Sequence, residues 1–187
     1  GIGGIAIFGF VRDSHGGVDA SKEVASYAAA RGVRILPGLG TTAYGGAYYE
    51  GNHEFSLATF GCRPMEYLER TGWASGRTWV AHCVMPNPDE IGRLGAAGVG
   101  VAHCPSSNLI LASGIAPVVD LRAAGVPVGL GVDGSSSADS ASLWLEARQA
   151  MLLAKLRNGA GAGTARMSLE IATRGGAACL GRLGELG

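Results

Sequence analysis

The tetrapeptide Val-Ala-His-Cys occurs twice in this chain, at residues 80–83 and 101–104, and a third apolar run, VGLGVD, follows at 128–133. Each run contains, at or near its end, a side chain that can bind a metal or move a proton: His82, His103 and Asp133. Short apolar runs of this kind are typical of buried parallel strands, whose carboxyl ends meet at one edge of the sheet. The pattern predicts an α/β fold that brings these three side chains to a common face.

The segments between these runs are predicted to be helices. Residues 87–98 begin with Asn87 and Pro88, continue with two acidic residues and end on a glycine, which is the order of signals that starts and stops a helix. Residues 115–125 are built in a similar way, and both segments close on Ala-Ala-Gly-Val. Two consecutive βα units are therefore expected.

Similar patterns extend over the rest of the chain and raise the expected number of βα units to about five. Further strands are predicted at 2–11 and 33–36, and further helices at 19–31, 64–71, 141–157 and 168–180. A glycine- and tyrosine-rich loop at 38–52 interrupts the alternation. On the helix at 141–157, the charged residues Glu146, Arg148 and Lys155 are expected to face solvent.

Composition limits the classes of partner. The formal net charge is zero, so the chain has no general electrostatic attraction for nucleic acid or anionic membranes. No apolar run approaches the roughly 20 residues of a membrane-spanning helix, and the first residues lack the basic region of a signal peptide, so we expect a cytoplasmic location. The four cysteines form no CxxC pair and are expected to be free thiols. Cys83 and Cys104 directly follow strand-end histidines, where a buried thiol is the ordinary role.

From about Phe60 onward, the sequence resembles the amidohydrolase superfamily, in the branch that contains 8-oxoguanine deaminase, guanine deaminase and the s-triazine hydrolases. The matching strings cover about two thirds of the chain: FGCRP at 60–64, WVAHC at 79–83, VAHCPSSN at 101–108, ASGIAP at 112–117 and GLGVDG at 129–134. The CPSSN string together with LGVDG most resembles the 8-oxoguanine deaminases.

The resemblance implies a partial or complete (β/α)8 barrel of the metal-dependent hydrolase kind, formed as one domain over 1–187, with an atypical segment at 1–55 and a C-terminal half-barrel at 56–187. It also implies one divalent metal, usually zinc, that activates a water to displace an amine from a purine-like ring of the 8-oxoguanine or guanine type. An s-triazine ring is the alternative substrate. Partners other than a small heteroaromatic molecule are not indicated, and self-association into a homo-oligomer is left open.

The resemblance further assigns roles to single residues. Asp133 matches the family's aspartate that binds the metal and takes a proton from the attacking water. His82 matches the histidine that orients that water and stabilises the tetrahedral intermediate. The segment that lines the ring-binding pocket contains His103, Ser106, Ser107 and Asn108. Without the resemblance, a histidine at a strand end is often a buried structural group, and Asp133 before Gly134 could start a turn.

Two motifs of the family are absent from the sequence. The branch uses a His-x-His string and a His-Leu-x-Glu string to supply three metal ligands and a proton-carrying glutamate, and neither string is present. Asp133 alone cannot hold a catalytic metal. Three explanations stay open: the chain is an inactive fragment or chimera, it is part of a longer protein, or His15 and His53 build a different metal site.

Overall fold

The computed structural model describes residues 5–7, 23, 26–27, 30–31, 35–37, 56–58 and 60–186. Within these residues, five short parallel strands are formed: β1 (Ile5–Ile7), β2 (Ile35–Pro37), β3 (Trp79–Ala81), β4 (Gly100–His103) and β5 (Val128–Leu130). β1 pairs with β2, and β3, β4 and β5 form a three-stranded sheet in chain order. The backbone of β2 also lies close to that of β3. The predicted α/β class, with about five strands, is confirmed.

Seven helices follow in the part of the chain that is described: α1 (Pro64–Arg70), α2 (Pro88–Ala97), α3 (Pro105–Ile110), α4 (Val118–Ala123), α5 (Leu143–Asn158), α6 (Ala165–Glu170) and α7 (Gly176–Cys179). One π-helical turn, Ile171–Gly175, joins α6 to α7. The predicted helix at 19–31 is described only at scattered helical positions, and the predicted loop at 38–52 lies outside the described residues. None of the described helices is both long and apolar enough to cross a bilayer.

The start of α2 shows how the sequence sets these elements. Asn87 Oδ1 accepts a hydrogen bond from the backbone N–H of Glu90, while Glu90 Oε2 accepts one from the backbone N–H of Asn87, which is a complete capping box. Pro88 occupies the first helical position. The helix ends at Gly98, whose left-handed conformation (φ 67°) suits a residue without a Cβ.

The same glutamate ties α2 to α1. Arg63, which precedes α1, donates from Nε to Glu90 Oε1 at 2.8 Å and from Nη2 to Glu90 Oε2 at 2.7 Å. Glu90 is almost completely buried, with 2% of its surface exposed. A buried carboxylate is tolerated only when its charge and lone pairs are matched, and this two-pronged contact supplies the match.

Close approach of a helix to the sheet fixes β5. A Cβ on Gly175 would lie 1.9 Å from the backbone oxygen of Val128, and a Cβ on Gly129 would lie 2.8 Å from the Cα of Gly176. Only glycine at these positions allows the π-helical turn and α7 to rest directly on the strand. The strand that leads to Asp133 is therefore held by backbone contact.

None of the four cysteines forms a disulfide, as predicted, and all four are buried. Burial raises the pKa of Cys83 and of Cys104 to about 12. Both thiols are therefore protonated near neutral pH and act as small apolar groups in the sheet region.

Two glycines of α2 give a matched test of this packing. A Cβ on Gly95 would lie 2.1 Å from the backbone oxygen of Ala124, whereas a Cβ on the exposed Gly92 meets nothing within 4 Å. We expect Gly95→Ala to lower the free energy of unfolding by about 1 to 3 kcal/mol, because α2 must move away from the end of α4. Gly92→Ala should leave it unchanged or raise it by up to about 1 kcal/mol through helix propensity.

Urea unfolding of the two variants checks this expectation. Equal effects of the two substitutions would show that α2 and α4 do not touch at Gly95.

Candidate active site

Three strand ends bring the predicted site residues together. His82 directly follows β3 and its backbone N–H donates to Ala102 of β4, with an N···O distance of 2.8 Å. His103 ends β4, and its carbonyl accepts from the N–H of Gly131, just beyond β5, at 2.9 Å. Asp133 follows two residues later. Its Oδ2 lies 3.6 Å from His82 Nε2, so the predicted convergence of these two side chains is confirmed.

His82 and Asp133 both have a positive backbone φ angle, which is unusual for residues other than glycine. His82 and Asp133 adopt left-handed conformations with φ of 65° and 63°, and Cys83 follows with φ of 48°. Such angles cost a residue with a Cβ on the order of 1 kcal/mol or more, and they persist only where the surroundings hold them. Here the turn out of each strand directs the side chain across the carboxyl edge of the sheet.

Two hydroxyl groups hold the Asp133 carboxylate. Its Oδ2 accepts hydrogen bonds from Ser107 Oγ at 2.7 Å and from Ser137 Oγ at 3.2 Å. Partial burial raises the pKa of this carboxyl, but the hydrogen bonds from Ser107 and the Gly134 backbone, the electrostatic interaction with His82 and the bond from Ser137 together lower it below its usual value. Asp133 is therefore an ionised carboxylate near neutral pH.

Asn108, which follows Ser107 on α3, contacts His82. Asn108 Oδ1 lies 2.9 Å from His82 Nδ1, and both side chains are buried. Ser107 and Asn108 are consecutive, so one short helix contacts Asp133 with one residue and His82 with the next. The sequence predicted strand ends and a pocket segment here but missed α3, although a proline directly after Cys104 is a signal for a helix start.

Glu146 was expected to face solvent, and this expectation is wrong. The side chain is 1% exposed, and its Oε2 accepts a hydrogen bond from the backbone N–H of Ser106 at 3.0 Å. The first turn of a helix has backbone N–H groups without partners inside the helix, and a carboxylate satisfies them. Glu146 therefore fastens the start of α3 to α5. The sequence gives no local signal for this, since the two residues are 40 positions apart.

His103 is enclosed. It is 1% exposed, and its Nδ1 has no hydrogen-bond partner among the described residues. Burial, followed by the electrostatic interaction with His82, lowers the pKa of His103 to about 3. It is therefore a neutral imidazole beside His82. Ser106 is partly buried. The assignment of His103, Ser106, Ser107 and Asn108 to substrate contact stays a prediction.

The described residues do not complete a metal centre. No group of three or more His, Cys, Asp or Glu side chains among them is arranged to hold an ion. A catalytic zinc takes three protein ligands and leaves one position open, while Asp133 and His82 offer one carboxylate and one imidazole. The alternative candidates His15 and His53 lie outside the described residues.

Comparison with known proteins gives the setting of this site. The sequence profile of the amidohydrolase family matches residues 47–187. The chain is 55% identical to 8-oxoguanine deaminase of Pseudomonas aeruginosa over 135 residues, which are 71% of this chain and 30% of that protein. It is 47% identical to 5-methylthioadenosine/S-adenosylhomocysteine deaminase of Haloarcula marismortui over 65% of this chain and 28% of that protein. The chain thus spans about a third of the length of these relatives.

Solved structures show the same relationship. An adenosine deaminase from Xanthomonas campestris with bound zinc superimposes with a TM-score of 0.83 and 32% identity, over 91% of this chain and 37% of that one. An atrazine chlorohydrolase from Arthrobacter aurescens complexed with zinc superimposes with a TM-score of 0.78 and 34% identity, over 88% of this chain and 35% of that one. The described sheet and helices therefore share the fold of zinc-containing hydrolases.

The enclosed His103 predicts a pH dependence of stability. The unfolded chain binds a proton at His103 below the ordinary histidine pKa of 6.5, whereas the folded chain does so only near its lowered pKa of about 3. The contribution of His103 to stability is therefore complete above pH 6.5 and is lost as the pH falls from 6.5 toward 3, by up to about 1.4 kcal/mol per pH unit.

Urea unfolding of the wild type and of His103→Gln between pH 7 and about 5 measures this loss. The variant should lose less free energy of unfolding over this range than the wild type does. The same loss in both proteins would mean that His103 is accessible to protons in the folded chain.

Proposed function

Because the chain belongs to the amidohydrolase family, we propose that it contributes to the hydrolytic deamination of a purine-like ring of the 8-oxoguanine or guanine type. The observation that carries this proposal is the convergence of His82 and Asp133, 3.6 Å apart, within the segment that matches the family. The 8-oxoguanine deaminase that shares 55% identity supports the choice of ring.

One divalent metal, zinc as in the related structures, is part of this proposal. Asp133 would hold it, and the remaining ligands would come from outside the described residues. Such an ion supplies a water whose pKa is lowered to about 7, and thus a hydroxide that can attack an aromatic carbon.

The two converging side chains would divide the proton chemistry. The Asp133 carboxylate is ionised and partly exposed, with 32% of its side-chain surface accessible, so it can accept a proton from the attacking water. His82 Nε2 lies beside that carboxylate and can orient the same water. The neutral His103, with Ser106, Ser107 and Asn108, belongs to the segment that we propose lines the ring pocket.

We further propose a domain architecture, a class of substrate and a cellular location. Residues 56–187 would form the C-terminal half of a barrel within a single domain over 1–187, in which residues 1–55 differ from the usual pattern. The substrate would be a small heteroaromatic molecule, with no role for nucleic acid or membrane, in a cytoplasmic protein that can form homo-oligomers. The similarity to an atrazine chlorohydrolase keeps an s-triazine ring as the alternative substrate.

A second candidate is a partial barrel without catalytic activity. The chain spans about a third of the length of the related deaminases, and the described residues contain no group of three metal ligands. In such a protein, hydrogen bonds would hold His82 and Asp133 in the observed geometry, but no deamination would take place.

Ammonia release separates the two candidates. The purified chain is supplied with zinc and incubated in turn with 8-oxoguanine, guanine and an aminotriazine. We expect release from one of the purine rings, and a loss of at least about 100-fold in Asp133→Asn, because the amide cannot accept the proton. Asp139→Asn is the matched control: it makes the same chemical change in the same exposed loop and should keep the wild-type rate.

The absence of ammonia release from all three rings would favour the inactive partial barrel. Equal rates in wild type and Asp133→Asn would contradict the role proposed for Asp133.

A further inference from the structure

We infer that Asn108 is a positioning residue for His82: its Oδ1 keeps a proton on His82 Nδ1, so that Nε2 presents a lone pair toward the space beside Asp133. This inference concerns the same site as the proposed function and takes its catalytic meaning from it. Asn108 is assigned no contact with the reacting atoms; it acts through the imidazole.

The first support is the contact itself. Asn108 Oδ1 and His82 Nδ1 are 2.9 Å apart, an ordinary hydrogen-bond length, and the two residues are 1% and 3% exposed. A carbonyl oxygen can only accept, so the shared proton belongs to Nδ1. A neutral imidazole carries one N–H, and Nε2 is then unprotonated.

The second support comes from Asp133. Its Oδ2 already accepts from Ser107 and Ser137, which use the lone pairs that this oxygen offers. His82 Nε2 is 3.6 Å from Oδ2, beyond the usual range for an N–H···O bond. Both observations agree with an Nε2 that does not donate to this oxygen. Nε2 and the carboxylate are two acceptors beside one space, and a proton-bearing group such as a water can donate to both.

The third support is the anchoring of the helix that carries Asn108. Ser106 is bonded through its backbone N–H to the buried Glu146, and Ser107 is bonded to Asp133. Three consecutive residues of α3 are thus fixed to three different segments. Such a support holds the amide in place, which a positioning role requires.

The Asn108 side-chain amide could also have the opposite orientation. If the amide were turned over, Asn108 Nδ2 would donate to His82 Nδ1 and the imidazole proton would lie on Nε2. In the arrangement observed, Nδ2 has no hydrogen-bond partner among the described residues. The position of one proton therefore distinguishes the two.

Long-range proton–nitrogen NMR correlation spectra of the ¹⁵N-labelled chain report this position. The spectra are recorded at about pH 8.5, above the range in which histidines ordinarily titrate, with no substrate or metal added. The His82 signals are assigned by their loss in His82→Gln. We expect the Nδ1–H form to exceed the Nε2–H form by roughly tenfold or more, since one net hydrogen bond shifts an equilibrium by about that factor.

Three variants complete the test. Asn108→Leu removes the acceptor at similar volume, and the proton should move to Nε2 in a large share of molecules. Asn108→Asp restores an acceptor and should keep the proton on Nδ1. Leu109→Ala, at an exposed neighbour on the same helix, should leave the His82 signals as in the wild type.

A wild-type proton on Nε2 would overturn the inference, and this result needs no variant to fold. A folded Asn108→Leu that keeps the Nδ1–H form would overturn it as well. Since the spectra require neither metal nor turnover, a failure of the deaminase proposal appears only in the ammonia assay, and a failure of this inference appears only in the proton position.

Discussion

The arrangement of the site depends on two hydrogen bonds made by consecutive residues of α3. Ser107 binds the Asp133 carboxylate and Asn108 binds the His82 imidazole. His82 and Asp133 reach the site through strained, left-handed backbones at the ends of separate strands. The turns out of these strands bring both side chains to one edge of the sheet, and a third element contacts both of them there. The short helix does so, and the buried Glu146 fastens the start of that helix to α5.

The fold supplies the rigid frame for this arrangement. β3, β4 and β5 are parallel neighbours, so their carboxyl ends lie side by side. Glycines at positions 129 and 175 let the π-helical turn and α7 rest on β5, which fixes the strand that leads to Asp133. In the zinc-bound adenosine deaminase structure from Xanthomonas campestris, the part that matches this chain is 37% of that chain. That comparison agrees with a site that has its carboxylate and one imidazole in place, while the described residues lack a full ligand set.

The strands and the start of α2 could be predicted from the sequence because the residues that specify them are close together in the chain. The two Val-Ala-His-Cys strings marked β3 and β4, and the Asn-Pro-Asp-Glu string marked the start of α2. The apolar run at 128–133 is longer than the strand it contains, Val128–Leu130, because the chain leaves the strand ladder before its left-handed turn at Asp133. The burial of Glu146 could not be predicted, since a charged residue on a helix ordinarily faces solvent. Its hydrogen-bond partner, the backbone N–H of Ser106, lies 40 residues away in the sequence.

A double-mutant cycle between Ser107 and Asp133 measures directly whether α3 holds the strand-end residues in place. The free energies of unfolding of the wild type, Ser107→Ala, Asp133→Ala and the double variant are measured in urea at pH 7; alanine leaves no acceptor at position 133 for the Ser107 hydroxyl. We expect a coupling energy of about 1 to 2 kcal/mol, the size that a hydrogen bond between a hydroxyl and a charged, half-buried carboxylate contributes. Strictly additive effects would show that Ser107 and Asp133 do not interact in solution, and α3 could then not be the element that orients the site.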